Sequence, residues 1–242
     1  REMRIAAWNL ERPKSKGYAK NAARLARIGH VDADIWFLTE THAGIVPPGY
    51  HALATRPMAG YHAPGENFST LVSRWPFVRT IETWNPEFSV CAEIRTPDAS
   101  VLAYATLITY ANDRGPDSAS SRWAEHRKYI AEQRQDWLRL ARDFPDLPLL
   151  IGGDFNQSRD GSGWYEDKRA VAELGDALRE AGLRCLTEQD FRLTHGLSRA
   201  SIDHLCASHT LVPRVRGIGV WEGRIDGRRL SDHNGVYVDI DI

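Results

Sequence analysis

Cysteine is scarce in this chain. Cys91, Cys185 and Cys206 lie far apart among 242 residues, with no CxxC spacing. An odd count without zinc spacing argues against a thiolate metal site and for reduced thiols in a cytoplasmic setting. Long apolar runs are also missing. The start, REMRIAAWNL, lacks the apolar stretch of a signal peptide, and Arg1 and Glu2 read as additions ahead of Met3. Nothing approaches the ~20 apolar residues of a membrane span, so no membrane partner is expected. No Pro/Gly/Ser-rich linker, repeat, heptad or low-complexity tract divides the sequence, so residues 1–242 are expected to form one domain and a monomer. A net charge of −1 excludes a general polycation, and any hold on a polyanion must come from a local patch. There is no GxSxG, and Ser231 lacks the context of a nucleophile elbow, which argues against a serine hydrolase.

What is present is ordinary for a soluble globular protein: 42% hydrophobic and 26% charged residues. The informative stretch is LPLLIGGDFNQ, Leu147 to Gln157. Its apolar run reads as a strand buried on both faces. Gly152 and Gly153 allow a tight turn and close ligand approach, and Asp154 and Asn156 stand at the strand's mouth. An Asx turn closing a strand is the plain alternative.

The same event recurs along the chain. RIAAWNL ends a first strand on Asn9, and a helix follows over Tyr18 to Ile28, with Tyr18, Ala22, Leu25 and Ala26 on its apolar face. DIWFLTE closes on Glu40, and a long loop around a short strand at Tyr50 to Thr55 comes next. Phe68 to Arg74 and Phe77 to Trp84 read as an antiparallel pair broken at Pro76. Ser89 to Arg95 and Val101 to Tyr110 pair across TPDAS. Ser118 to Ser121 can cap a long helix running to Arg142, whose outer faces carry Arg122, Arg127, Lys128, Arg134, Arg139 and Arg142. A helix at Arg169 to Ala181 ends at Gly182, and three strands close the chain: Ser201 to Ala207, Val215 to Glu222 and Val236 to Ile242.

Collected, the polar residues at strand ends are Asn9, Glu40, Tyr110, Asp154, Asn156, Asp203, Asp232 and His233. Taken singly, each has an ordinary explanation as a turn residue, a salt-bridge partner or a core aromatic. Their recurrence at the ends of buried strands is the signal. Carboxylates with an amide oxygen and no thiolate form a hard-oxygen set that suits Mg²⁺ or Mn²⁺. Asp203 beside Asp232–His233 offers a carboxylate-oriented imidazole. This is an inventory for metal-assisted, in-line hydrolysis of a phosphate ester.

The ordered motifs WNL, LTE, GDFN, SIDHL and LSDH resemble the endonuclease/exonuclease/phosphatase superfamily, from Asn9 to His233. Its members include exonuclease III-like abasic endonucleases, DNase I-like nucleases, neutral sphingomyelinases and inositol polyphosphate phosphatases. The resemblance implies an α/β fold: a four-layer α/β sandwich of two mixed sheets packed face to face, with helices outside. It further implies Glu40 and Asn9 as metal ligands, with Asp232 supporting the metal or His233. Asp154 would activate the water, and Asn156 would hold that water or a phosphate oxygen. His233, oriented by Asp203, would stabilise the phosphate, and Tyr110 would contact it. The chain departs from the pattern at Asn234 and Gly235, where many members have an aromatic and a proline. Glu11 is an extra acid that either joins the metal shell or pairs with Arg12.

Two substrate classes are set apart by residues outside these motifs. Basic stretches at Arg12 to Lys20 and Arg122 to Arg142, with Trp164 and Tyr165 in the loop after GDFN, favour DNA. The alternative is a phosphatase or phosphodiesterase for a small molecule or lipid headgroup.

Overall fold

Alternation along the strands decides the architecture. The computed structural model describes residues 2–15 and 17–242. Arg1, part of the expected added start, and Lys16, part of the first basic stretch, lie outside the described residues. In β1 (Glu2–Asn9), Met3, Ile5 and Ala7 enter one apolar cluster while Ala6 and Trp8 enter another. A strand with both faces apolar must be covered on both. Helix α1 (Asn21–Val31) covers the outer face of β1 and β2 (Ile35–His42), and β3 (His51–Ala54) and β4 (Glu66–Ser73) extend the sheet.

The chain then crosses to a second sheet through β5 (Phe77–Ile81), β6 (Ser89–Arg95) and β7 (Ser100–Leu107). Helix α2 (Ala124–Asp143), β8 (Leu149–Asp154), α3 (Lys168–Glu180), β9 (Leu183–Cys185), α4 (Phe191–His195) and β10 (Asp203–Ser208) complete that half. The chain returns through β11 (Val215–Trp221), a short hairpin of β12 (Arg224–Ile225) and β13 (Arg228–Arg229), and β14 (Gly235–Asp241). The two mixed sheets run β11-β14-β1-β2-β4-β3 and β5-β6-β7-β8-β10-β9. Phe37, Ala103, Leu150 and Val238 belong to the core between them, while Tyr104, Trp137, Ile151 and Leu174 belong to the core under α2 and α3. This is the expected four-layer α/β sandwich.

Three local expectations are corrected. First, β4 and β5 do not pair with each other. β4 lies between β2 and β3, and β5 borders β6 in the other sheet, so the break at Pro76 marks the crossing. Second, α1 begins at Asn21, and it buries Asn21, Arg24, Ile28 and Val31 while Ala22 and Ala26 stay exposed. Arg24 is tolerated inside because its Nε donates to Leu230 O at 2.9 Å and Nη1 to Asn21 Oδ1 at 3.1 Å. Third, no serine side chain caps α2. Trp123 occupies the cap position at φ 69° without a side-chain hydrogen bond, and its ring is buried beside His126 and Tyr165. A serine cap is worth about 1 kcal/mol, whereas burying an indole is worth roughly 4 kcal/mol, so docking the ring sets the start.

The basic face of α2 meets acids on α3. Arg127 pairs with Glu173 at 2.9 Å, and Arg134 Nε donates to Glu180 at 2.7 Å. Arg139 pairs with Asp136 at 3.1 Å and Arg142 with Asp143 at 2.8 Å. Much of the positive charge expected there is already compensated.

Candidate active site

Register brings six strands together at one end of the sandwich. β1 and β2 are parallel, with Asn9 opposite Thr39, so Asn9 and Glu40 arrive together. β7 and β8 are parallel, with Leu107 opposite Asp154. β10 runs against β8 and begins with Asp203 opposite Asp154. β14 runs against β1, so Asp232 and His233, just before it, return to the same place. Glu40 at φ 43° and Asn156 at φ 48° adopt left-handed backbone. Each such residue costs on the order of 1 kcal/mol, which the surrounding sheet must hold in place.

Asp154 is the hub. Its Oδ2 accepts from Asn9 Nδ2 at 3.0 Å and Asn156 Nδ2 at 3.1 Å, and its Oδ1 accepts from the Asn156 backbone N–H at 2.8 Å. The Asx turn and the polar site are therefore the same structure. Asn156 Nδ2 also donates to Ile108 O at 2.8 Å, tying the segment after β7 to the hub. Asn9 Oδ1 accepts from Glu11 N–H at 2.8 Å. His233 Nδ1 donates to Asp203 Oδ2 at 2.6 Å, while Nε2 stands 3.9 Å from both Asp154 Oδ2 and Asp232 Oδ1. The latter distances are too long for hydrogen bonds, leaving Nε2 free to meet a ligand.

The electrostatics follow from burial and sign. Asp154 and Asp203 are each 1% exposed. Burial raises the Asp154 carboxyl to about 8, against the pull of His233. Burial opposes the His233 cation, but the charges of Asp203 and Asp154 outweigh it and lift the imidazole to about 10. Burial also raises Glu40, with His233 and an Asn9 hydrogen bond pulling it back.

Two further residues support the site. Ser231, dismissed as a nucleophile, donates from Oγ to Asn9 O at 2.6 Å and accepts from His233 N–H at 3.0 Å, so it fastens two site strands together. The signal was a serine two residues before a histidine, a side-chain-to-backbone turn. Arg199 donates to Asp232 O. Together with Trp164, Ile202 and His233 it lines a pocket of about 200 Å³. Nothing in sequence spacing identifies Arg199.

Tyr110 is not drawn into the cluster. It stands beyond β7, 54% exposed, and its phenol makes no hydrogen bond to these residues among the described residues. Glu11 pairs with Arg229, Nε to Oε2 3.2 Å, and Arg12 pairs with Glu66 at 2.9 Å, so the expected Glu11–Arg12 contact is replaced. Trp164 and Tyr165 behave differently from each other. Tyr165 accepts from Ala111 N–H at 3.0 Å, while Trp164 is 52% exposed with the Arg192 guanidinium 5.5 Å from its ring centre.

The model of the Endonuclease/Exonuclease/phosphatase family matches residues 6–233. The chain belongs to that family. No curated protein sequence matches it. Among solved structures, the fold resembles an AP endonuclease from Archaeoglobus fulgidus, with 13% identity, a TM-score of 0.69 and coverage of 99% of this chain and 100% of the other. It also resembles the 3' phosphatase NExo from Neisseria bound to product DNA hairpin, with 15% identity, a TM-score of 0.69 and coverage of 99% and 100%. The human Nocturnin catalytic domain gives 16% identity, a TM-score of 0.70 and coverage of 99% and 93%.

Endonuclease/exonuclease/phosphatase enzymes hydrolyse phosphate esters with a divalent metal, and the donor set here fits one. Glu40, Asp154, Asp203 and Asp232 surround a single imidazole, and among the described residues Glu40 has no Lys or Arg ion-pair partner. Asp203 Oδ1 is a buried oxygen without a hydrogen-bond partner. Asp154, Asp203 and His233 can each point one donor atom to within 4.8 Å of the others. His233 Nδ1 is already bonded to Asp203, so this triplet is better suited to moving and holding a proton than to enclosing an ion. The departures at Asn234 and Gly235 have local causes. Asn234 Nδ2 donates to Arg199 O at 3.0 Å, and a side chain at 235 would meet the Trp221 ring at 1.9 Å.

Proposed function

We propose that this protein is a Mg²⁺-dependent phosphodiesterase acting on DNA, with Mn²⁺ as a competent substitute. The observation that carries the reading is the line Asn9–Asp154···His233–Asp203 beside Glu40, where strands of both sheets meet at one end of the sandwich. Glu40 and Asn9 would hold the ion, with Asp232 in support. When bound, the ion neutralises charge on the phosphate and orients it.

The chain's own residues would do the rest. Asp154, as the carboxylate, accepts the proton of the attacking water; burial raises its basicity, as suits a general base. Asn156 keeps that carboxylate aimed. The water oxygen attacks phosphorus in line with the leaving oxygen, and the His233 imidazolium, held by Asp203, stabilises the charge that develops. Tyr110 and Trp164, both exposed, would offer ring faces to the nucleic acid.

A phosphatase or phosphodiesterase for a small molecule or lipid headgroup is the second reading. The pairing of α2 arginines with α3 acids favours it, because a polyanion gains little from a compensated face. A panel of duplex, single-stranded and abasic DNA, RNA, phosphomonoesters and sphingomyelin decides between them. It is run with Mg²⁺, Mn²⁺ or EDTA and with Asp154→Ala as blank. Metal-dependent DNA cleavage is expected. Turnover of monoesters or sphingomyelin with DNA intact would move the assignment to the second reading.

A further inference from the structure

Two thiols that the phosphate chemistry does not use face each other at the edge of the second sheet. Cys185 on β9 lies directly opposite Cys206 on β10. In the next pair along, Leu186 N–H donates to Leu205 O at 2.8 Å. Antiparallel pairs alternate, so the cysteines occupy a non-hydrogen-bonded position, where Cα atoms are about 4.5 Å apart and side chains are closest. That spacing falls inside the roughly 4.4–6.8 Å range of disulfides. Both side chains point the same way: Cys206 belongs to the core under the helices, and Cys185 packs against it. Cys206 is buried while Cys185 is half-buried on an edge strand, so a small reagent reaches Cys185 first.

The surroundings favour a thiolate at Cys185. Burial opposes it, but the Cys206 thiol, His204 and Arg159 together bring its pKa well below the ordinary thiol range. His204 Nε2 donates to Gln157 O at 2.9 Å, leaving Nδ1 to share a proton on the Thr187 side, 3.0 Å from Oγ1. Thr187 Oγ1 is in turn 3.7 Å from Cys185 Sγ. Burial and the neighbouring thiolate raise Cys206, and burial raises Cys91, which has no thiol opposite it in its strand pairs.

We propose that Cys185 and Cys206 form a hydroperoxide-reactive dithiol that closes into a cross-strand disulfide. The Cys185 thiolate attacks one peroxide oxygen, the O–O bond breaks, and the departing hydroxide leaves as water with the proton held on His204. The resulting Cys185 sulfenic acid is then attacked by the Cys206 sulfur. The S–O bond breaks, the S–S bond forms, and the second oxygen leaves as water with the Cys206 proton. Two thiols lose two electrons in all, and one peroxide gains them. The chain between the cysteines carries α4, the pocket residues Arg199, Ala200 and Ile202, and Asp203. The bond thus staples the wall of the site.

The test is oxidation of the whole chain with hydrogen peroxide, followed by intact mass, peptide mapping and thermal melting. The mass should fall by two hydrogens, the linked peptide should join Cys185 to Cys206, and Cys91 should be alkylated only after unfolding. Closing that loop should raise Tm by roughly 5–10 °C. In Cys206→Ser the reaction should stop at a Cys185 sulfenic acid trapped by dimedone, and in Cys185→Ser Cys206 should not react. Three free thiols in the treated wild type, a bond to Cys91 or to a second chain, or a sulfenic acid that persists in the wild type would each overturn the proposal. If the Cys206 variant does not fold, the wild-type map and thiol count still decide it.

Discussion

His233 Nδ1 lies 2.6 Å from Asp203 Oδ2; the two residues are 30 positions apart, Asp203 opening β10 of one sheet and His233 just ahead of β14 of the other. The contact fixes which imidazole nitrogen faces the substrate and helps to keep the ring charged. Replacing Asp203 by Asn keeps the shape and removes the charge. The expected result is a fall in the His233 pKa from about 10 toward its ordinary value, read by imidazole NMR titration of the metal-free protein. Turnover should drop roughly 10²–10⁴-fold on whichever phosphate ester the wild type cleaves. An unchanged His233 titration would remove Asp203 from this role.

Glu40 is a carboxylate whose pKa is raised chiefly by burial and less by Asp232 and Asp203, with His233 and an Asn9 hydrogen bond pulling it back and no Lys or Arg ion-pair partner among the described residues. Glu40→Gln should raise the Mg²⁺ concentration needed for half-maximal activity by at least ~10-fold. It should also leave the metal-free protein as stable as the wild type or more so, because the desolvation that opposes the Glu40 charge is relieved. Melting curves with and without Mg²⁺ check both parts. Loss of stability in the metal-free variant would show that Glu40 has a structural partner.

Much of this site was legible because its residues announce themselves locally. A buried strand is a continuous apolar run, and a polar residue where the run stops is conspicuous, as at Asn9, Glu40 and Asp154. Long-range facts were not legible. The buried face of the first helix includes Arg24, which the apolar pattern does not mark because its acceptor, Leu230 O, is 206 positions away. The arginines of α2 looked free because Glu173 and Glu180 arrive 46 positions later. β4 and β5 looked like a hairpin because neither apolar pattern says to which sheet it belongs.

The glycine pair was legible as to need and misread as to cause. A side chain at Gly153, at φ 140°, would come within 1.9 Å of Thr106 O across the β7–β8 pairing. At Gly152 it would meet Phe37 at 2.5 Å in the core between the sheets. Close packing of strand on strand and sheet on sheet explains both. Gly153→Ala should therefore destabilise the fold by roughly 3 kcal/mol or more. Urea denaturation measures it, and a loss below about 1 kcal/mol would contradict the packing argument.

His126 gives the fold a pH dependence of its own. It is 0% exposed, its Nδ1 donates to Thr109 O at 2.6 Å, and its Nε2 accepts from Gln157 Nε2 at 2.8 Å, which is the pattern of a neutral ring. Burial lowers its pKa to about 4, against an ordinary 6.5. Between those values the unfolded chain binds a proton that the native protein refuses. The stabilisation is complete above about pH 6.5 and is lost as pH falls toward 4, for on the order of 3 kcal/mol. His126→Asn should melt with a shallower loss over that window, and parallel curves for variant and wild type would refute the assignment.

Substrate choice can be read from two sets of residues with opposite expectations. Arg127 and Arg134 are engaged with Glu173 and Glu180, so neutralising them removes little field that a polyanion could use. Trp164 is half exposed beside His233 in the same pocket, with Arg192 near its ring. If DNA is the substrate, Trp164→Ala should raise KM about 5–50-fold, as loss of one base–aromatic stack implies. The double substitution Arg127→Gln and Arg134→Gln should change KM and its salt dependence by less than about 2-fold. The reverse pattern, a strong effect on the helix face and none at Trp164, would place the nucleic acid along α2 and away from the pocket beside His233.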